Sequence, residues 1–411
     1  HYFFELARRY GDIAMPLEVL TEEEANTIGK TPFSEVISFI VSECDDAANN
    51  LPDSYVNEPG AEIGRVTKGF AMAVKSKALL YAASKLHNPS MDTELWKKSA
   101  KAAIDIINTG LYSLAPQESA NNLDSKEVVL MRINGDDSDF EMFNLPLRMT
   151  AGTRTSSLIP YPSQNLVDAF ETVNGYKVTL ENTGWVCEDP AFDPQSPYEN
   201  RDKRFYRAIL ANGMSFKDYT IETFKGGADD GIVSQGGSPT GYFLRKYIQE
   251  ATSFEPGKEA VSKHHWVIYR YAETLLTYAE SMVNAFNDVN YTDETYKYSA
   301  LWAINEVRKN ADMPLIPSMG KDEFMERLYN EWRVEFAFED HRFWDVRRWK
   351  IADTTQRELY GVKIEKQADG TFNFYKNLYE TRNWRDCMYL YPIPQSELYK
   401  NTNLNPQNTG W

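Results

Sequence analysis

Apolar residues recur at helical spacing through the first third of the chain. Between Pro32 and Leu51 they fall at Phe33, Ile37, Ile40 and Val41, with Thr31 or Ser34 as candidate N-caps and Pro52 as the stop. Between Arg65 and Leu86, Phe70, Val74, Tyr81 and Lys85 mark successive turns. Gly69 and Ala73 sit four apart there, a small face that a partner helix can approach closely. A third helix is predicted from Glu94 to Asn108, ended by Gly110. Amphipathic helices joined by short Asn/Pro loops predict stacked helical hairpins.

The pattern then changes. From residue 111 to 262, short β-prone pieces such as Val128–Ile133 alternate with Gly- and Asp-rich stretches at 135–141, 226–231 and 236–241. Loops of that length in a folded unit usually carry function, so much of the ligand surface is expected here. Helical spacing returns between Lys263 and Lys350. Val267, Tyr271, Leu275, Tyr278 and Met282 make one stripe, and Ala272, Leu276, Ala279 and Val283 make its neighbour, which predicts a helix packed on two sides. The tail from Ala352 to Trp411 reads as irregular, with Pro392 and Pro394 fixing an extended crossing. The expectation is a mainly α chain forming one unit: helical scaffold at 1–110, loop-rich lobe at 111–262, scaffold again at 263–352, and an irregular segment at 353–411.

Residues 327–350 combine three Trp, three Phe and a dense set of charges without Gly or Pro, and read as one helix. Phe324, Leu328, Trp332 and Phe336 form its apolar stripe, while Glu331, Glu335 and Glu339 stack like charges beside it. Such a helix needs cations: Arg333, Arg342, Arg347 and Arg348, or others from distant segments. Glu339 with Arg342, and Asp345 with Arg348, have i,i+3 spacing. A structural charge network is preferred over a catalytic carboxylate pair, because flanking arginines lower a carboxyl pKa and spoil a general acid.

Composition narrows the function classes. A net charge of −16 opposes nucleic acid and anionic lipid headgroups, leaving neutral sugars, peptides or cationic partners. No apolar run approaches a membrane helix. Cys44, Cys187 and Cys387 have no paired spacing, which excludes a disulfide framework and a cysteine zinc site. No phosphate-binding glycine loop or nucleophile elbow is present. His264, His265 and His341 are assigned structural roles. The acidic stretch Asp136–Glu141 lacks EF-hand spacing and is read as a solvated loop, not a calcium site. No metal or cofactor is expected.

A sugar site needs exposed aromatic faces and a few polar groups to fix hydroxyls. Loop aromatics that qualify are Tyr161, Trp185, Tyr198, Tyr219 and Trp384, with Trp185 the preferred platform. Two rival classes are a glycoside hydrolase on a helical scaffold, which needs two carboxyls across a cleft, and a helical-repeat adaptor.

The 327–350 block is similar to the signature of the SusD/RagB family of outer-membrane nutrient-binding lipoproteins, roughly E-R-x-x-E-x-x-F-E-G-x-R-x-x-D-x-x-R-W. Glu331, Arg333, Glu335, Phe338, Glu339, Arg342, Asp345, Arg348 and Trp349 fall into that frame, and Asp340 stands where the family usually has Gly. Arg201–Tyr206, Thr240–Lys246, Arg270–Glu280, Tyr389–Glu397 and Asn405–Trp411 resemble further family segments in the same order. Tyr2–Pro16 resembles an internal family segment, which implies that a signal, a lipid-anchored cysteine and the first helices precede His1. The resemblance implies tetratricopeptide-like helix pairs and cell-surface capture of an oligosaccharide, or in some relatives a peptide. It also implies delivery to a SusC-like TonB-dependent transporter without bond making.

Overall fold

The computed structural model describes residues 1–55, 64–150, 152, 160–231 and 236–411. The 226–231 and 236–241 stretches are thereby covered, whereas residues 232–235 between them lie outside the described set.

The scaffold is a stack of helices. Phe33–Asn50 packs on Lys68–Ala83, which packs on Thr93–Thr109, which packs on Tyr271–Phe286. Ala300–Asn310 and Lys321–Glu335 close the far side of Tyr271–Phe286. The two adjacent apolar stripes explain that central position: every residue from Ala272 to Ala285 is buried. Asp92 caps Thr93–Thr109 by accepting from Glu94 N at 2.9 Å, and Gly110 ends it at φ 66°.

Local details differ from the periodicity reading. Neither Thr31 nor Ser34 caps Phe33–Asn50; Asp12 reaches across and accepts from Phe33 N at 2.8 Å. Gly69 makes room for the ring of Tyr112, not for a helix: a Cβ there would lie 1.9 Å from the phenol oxygen. Residues 262–270 are a strand, paired antiparallel with Val128–Asp137, and the helix begins only at Tyr271. Val267 therefore belongs to the strand, where His264, Val267 and Tyr269 are buried. The tail is not wholly irregular either. Glu358–Lys366 and Phe372–Thr381 form a hairpin turned at Gly370, and Val362, Ile364 and Phe374 bury against the lobe.

The 327–350 block is two helices. Lys321–Glu335 stops, Phe338 and Asp340 adopt φ of 60° and 63°, and Arg342–Arg348 leaves in a new direction. A left-handed residue at 340 is what a glycine does without strain, so the family's Gly at that position marks a break and Asp is the substitute best able to follow it.

The lobe is a set of short two-stranded ladders around a second core that includes Phe170, Phe205, Ile209 and Tyr242. The hairpin is seated on it through Gly361. A Cβ at Gly361 would lie 2.6 Å from Thr240 Cα and 2.8 Å from its carbonyl, and Val362 N donates to that carbonyl at 2.9 Å. Backbone cannot move aside as a side-chain tip can. Gly361→Ala should therefore destabilise the protein by about 1–3 kcal/mol, read as a lower urea midpoint. An unchanged midpoint would refute this seating.

Candidate functional site

Arg270, the last strand residue before the central helix, is fully buried among carboxylates. It bonds Glu127 at 2.5 Å, Glu335 at 2.7 Å and both oxygens of Glu339 at 2.9 and 3.0 Å. Arg204 holds Glu331 at 2.5 Å, Glu335 at 2.8 Å and Asp202 at 2.7 Å. Arg308 joins Glu331 at 3.0 Å to Glu171 at 2.9 Å, and Lys246 pairs with Glu339. Burial alone would push Glu335 upward; the guanidiniums of Arg270 and Arg204 outweigh it and hold the carboxyl at about 2. Glu339 is lowered by the same balance with Arg270 and Lys246, whereas for Glu127 burial wins and the direction is upward. Burial also brings Lys246 down to about 8, against the pull of Glu339.

The expected network thus exists around Glu331, Glu335 and Glu339, with cations from distant segments. Asp345 and Arg348 pair at 2.8 Å in a second cluster, where Arg348 also grips Glu280 at 2.6 and 2.9 Å. Arg333 and Arg342 are not members of either cluster, contrary to expectation. Arg333 sits two residues from both Glu331 and Glu335, so it points off the opposite side of the helix. The break after Glu335 carries Arg342 away from Glu339. Glu335 and Glu339, held ionised at neutral pH, are unsuited to serve as general acids.

The histidines are structural fixtures. His264 Nε2 meets Glu141 Oε1 at 3.0 Å, Gln249 N donates to the same oxygen at 2.7 Å, and His265 bonds the Asn121 carbonyl. Glu141 is therefore buried, not part of a solvated loop. Among the described residues no group of three or more metal-ligating side chains is gathered.

The five loop aromatics do not converge. Trp185 and Tyr198 are 9% and 7% exposed and belong to the lobe core, edge-on to each other at 5.7 Å. Trp185 lies on the strand Gly184–Cys187, paired with Val178–Glu181, and its alternation points it inward. The preferred platform is thus not on the surface. Tyr161 packs on Phe243 at 6.0 Å, and Tyr219 lies beneath Arg148 at 5.1 Å, both half-buried. Of the five, Trp384 lines a large groove.

That groove, about 610 Å³, runs between the helix Arg342–Arg348 and the segment after the hairpin. Phe343, Trp384, Tyr391 and Trp411 form its apolar wall, with Phe343 and Trp411 41% and 42% exposed. Arg347 lies 3.5 Å over Phe343 and 5.2 Å from Trp384. Trp411 Nε1 donates to the carbonyls of Cys387 at 2.9 Å and Leu390 at 3.1 Å, which pins the end of the chain. Trp384 Nε1 and Arg347 Nε are shielded donors with no protein partner. Arg382, Asn383, Gln356 and Glu380 supply the polar rim; Glu380 is the one carboxylate there, lowered by its bond to Arg382 at 2.9 Å. Phe343, Tyr391 and Trp411 were not singled out from the sequence, although all three lie inside motif stretches; Arg347, expected among the cations of the charge network, instead bonds the Phe343 carbonyl and lines this groove.

A second cleft, about 510 Å³, opens over the network between the lobe and the segment at 117–122. Three of its polar residues are tied to the network: Gln117 and Asn121 bond Glu335 and Glu339 at 3.4 and 3.2 Å, and Arg207 bonds Gln117 at 3.0 Å.

Residues 126–411 match the SusD family. Over its whole length the chain is 26% identical to SusD-like protein P2 of Formosa agariphila, covering 72% of that protein. Among solved structures, a SusD-like protein of Bacteroides fragilis superposes with a TM-score of 0.78 at 29% identity, covering all of this chain and 77% of that one. A SusD-like carbohydrate binding protein of the same organism does so at 0.75 and 25% identity, covering 98% and 77%. The helix-rich architecture with short strands is the one those structures share.

Removing the Glu335 charge leaves two buried guanidiniums short of a partner, so Glu335→Gln should cost about 3–5 kcal/mol at neutral pH. A carboxyl held below its usual value of 4.5 stabilises fully above that pH and ceases to do so as pH falls toward 2. The stability gap between wild type and Glu335→Gln should accordingly narrow below pH 4.5 in pH-dependent urea titrations. A gap that widens in acid contradicts the assignment.

Proposed function

As the chain belongs to the SusD family, we propose that it is a cell-surface glycan-capture protein. It would be lipid-anchored at the outer membrane and deliver oligosaccharide to a SusC-like TonB-dependent transporter. Family membership supports glycan binding, and a relative described as carbohydrate binding shares the fold. No helix among the described residues is long and apolar enough to cross a membrane.

The observation that carries this reading is the groove at Trp384. Four aromatic side chains line one concavity, ringed by Arg, Asn, Gln and Glu. Aromatic faces cover the C–H face of a pyranose ring, and the polar rim fixes hydroxyls. Binding is then stacking and hydrogen bonding without chemistry on the ligand. Each aromatic contact contributes only ~0.5–1.5 kcal/mol beyond area burial, so the expected Kd lies between about 1 µM and 1 mM.

Calorimetric titration of a glycan and peptide panel, with reducing-end release assayed on each hit, tests this. Trp384→Ala should weaken a glycan hit by about threefold to tenfold with no product formed. Binding indifferent to Trp384→Ala would discard the groove; product formation would overturn capture; hits confined to peptides would replace the glycan with a peptide.

A further inference from the structure

Next to the aromatic groove, sharing Thr381, Arg382, Asn383 and Trp384 with it, lies a basin of about 610 Å³. Four arginines line it, Arg333, Arg342, Arg357 and Arg382, against one carboxylate, Glu358. In a chain of net charge −16 this is a local reversal of sign.

Arg333 and Arg342, both half-buried, differ from the arginines of the two carboxylate clusters. Arg204, Arg270, Arg308 and Arg348 each grip two or more carboxylates. Among the described residues, neither Arg333 nor Arg342 forms an ion pair or donates a hydrogen bond, and Arg342 Nε is shut from solvent without a partner. The acidic groups that face them are engaged elsewhere. Asp345, nearest Arg342, is bonded to Arg348 at 2.8 Å; Asp168, which faces Arg333, accepts from Gln164 at 2.6 Å and from Leu180 N at 3.1 Å. Glu358 accepts from Tyr360 at 2.5 Å, and Arg382 is tied to Glu380 at 2.9 Å. Burial, together with the neighbouring Arg342, pushes Arg333 down to about 9. Two half-buried guanidiniums lining one basin without carboxylate partners are a repulsive arrangement that an oxyanion between them would relieve.

We propose that this basin binds the anionic group of an acidic sugar, a uronate carboxylate or a sulfate ester, while the adjoining aromatic wall stacks a neighbouring ring. The proposal rests on the glycan-capture reading for the source of the anion, and on Arg333 and Arg342 for the site. It narrows the ligand from oligosaccharide in general to oligosaccharide bearing oxyanions. The net negative charge of the chain opposes polyanions over much of the remaining surface, which favours binding at a basic recess such as this one.

The test is thermal melting and calorimetry of the whole chain at constant ionic strength, titrating sodium glucuronate, glucose 6-sulfate, inorganic sulfate, glucose as neutral control, and neutral and acidic oligosaccharides from the glycan panel. The expected result is a saturable rise in melting temperature at millimolar glucuronate or sulfate ester and none with glucose. The tighter of the two identifies the group. Arg333→Gln and Arg342→Gln should each weaken that response by about tenfold to a hundredfold, the worth of a charge-assisted fork. Both variants should melt no lower than wild type in chloride, since each removes an unpaired cation. Arg357→Gln, at the exposed rim, cannot disturb the core and should weaken the response more modestly. No saturable response in wild type, or one that survives all three replacements, overturns the site. Neutral oligosaccharides that bind wild type and variants alike, with no anion response, overturn the basin and leave capture standing. An intact anion response with no oligosaccharide of either charge bound overturns the sugar as its source.

Discussion

One buried guanidinium ties the molecule together. Arg270 stands where the strand 262–270 becomes the central helix, and it gathers Glu127 from one distant segment and Glu335 and Glu339 from another. Such a cluster adds little net stability over well-packed apolar side chains, because desolvation consumes much of the Coulombic gain. Its effect is on geometry. Three carboxylates can surround one guanidinium only if the helix Lys321–Glu335 ends where it does and the chain turns back at Phe338 and Asp340.

That turn determines where the next helix goes. Had residues 327–350 continued as one helix, Arg342 would have faced Glu339 and Phe343 would have followed the scaffold. With the break, Arg342–Arg348 crosses toward the C-terminal segment. Phe343 and Arg347 become one wall of the aromatic groove, and Arg342 swings into the basin beside Arg333. The opposite wall, from Trp384 to Trp411, is located by the hairpin seated through Gly361 and by the pinned terminal indole. The network and the recognition surface are consequences of the same backbone path.

The scaffold was legible because helical burial writes a period into the letters. Two stripes on 271–286 correctly implied burial all round, and the like-charge column at Glu331, Glu335 and Glu339 correctly implied cations. What failed was whatever depends on partners distant in sequence. Val267 fits the helix period by coincidence, and only pairing with Val128–Asp137 makes it a strand residue. Trp185 sits between turn-prone residues, as an exposed platform would, yet a four-residue ladder points it into the core. The break at 336–341 carries no Pro or Gly in this chain. Asp340 in place of the family's Gly was its one trace, and a residue identity reveals a positive φ only when the geometry is already known. Trp384 could not be told from the other loop aromatics until the groove's second wall was in place.

A crystal structure of the chain with an oligosaccharide bound is the most direct test, since the central claim is one of place. The expected result is a sugar ring against Trp384, between Phe343 and Trp411, hydrogen-bonded to the polar rim at Gln356, Arg382 and Asn383. Ligand density in the cleft over Gln117 and Tyr247, with the groove at Trp384 empty, would contradict it.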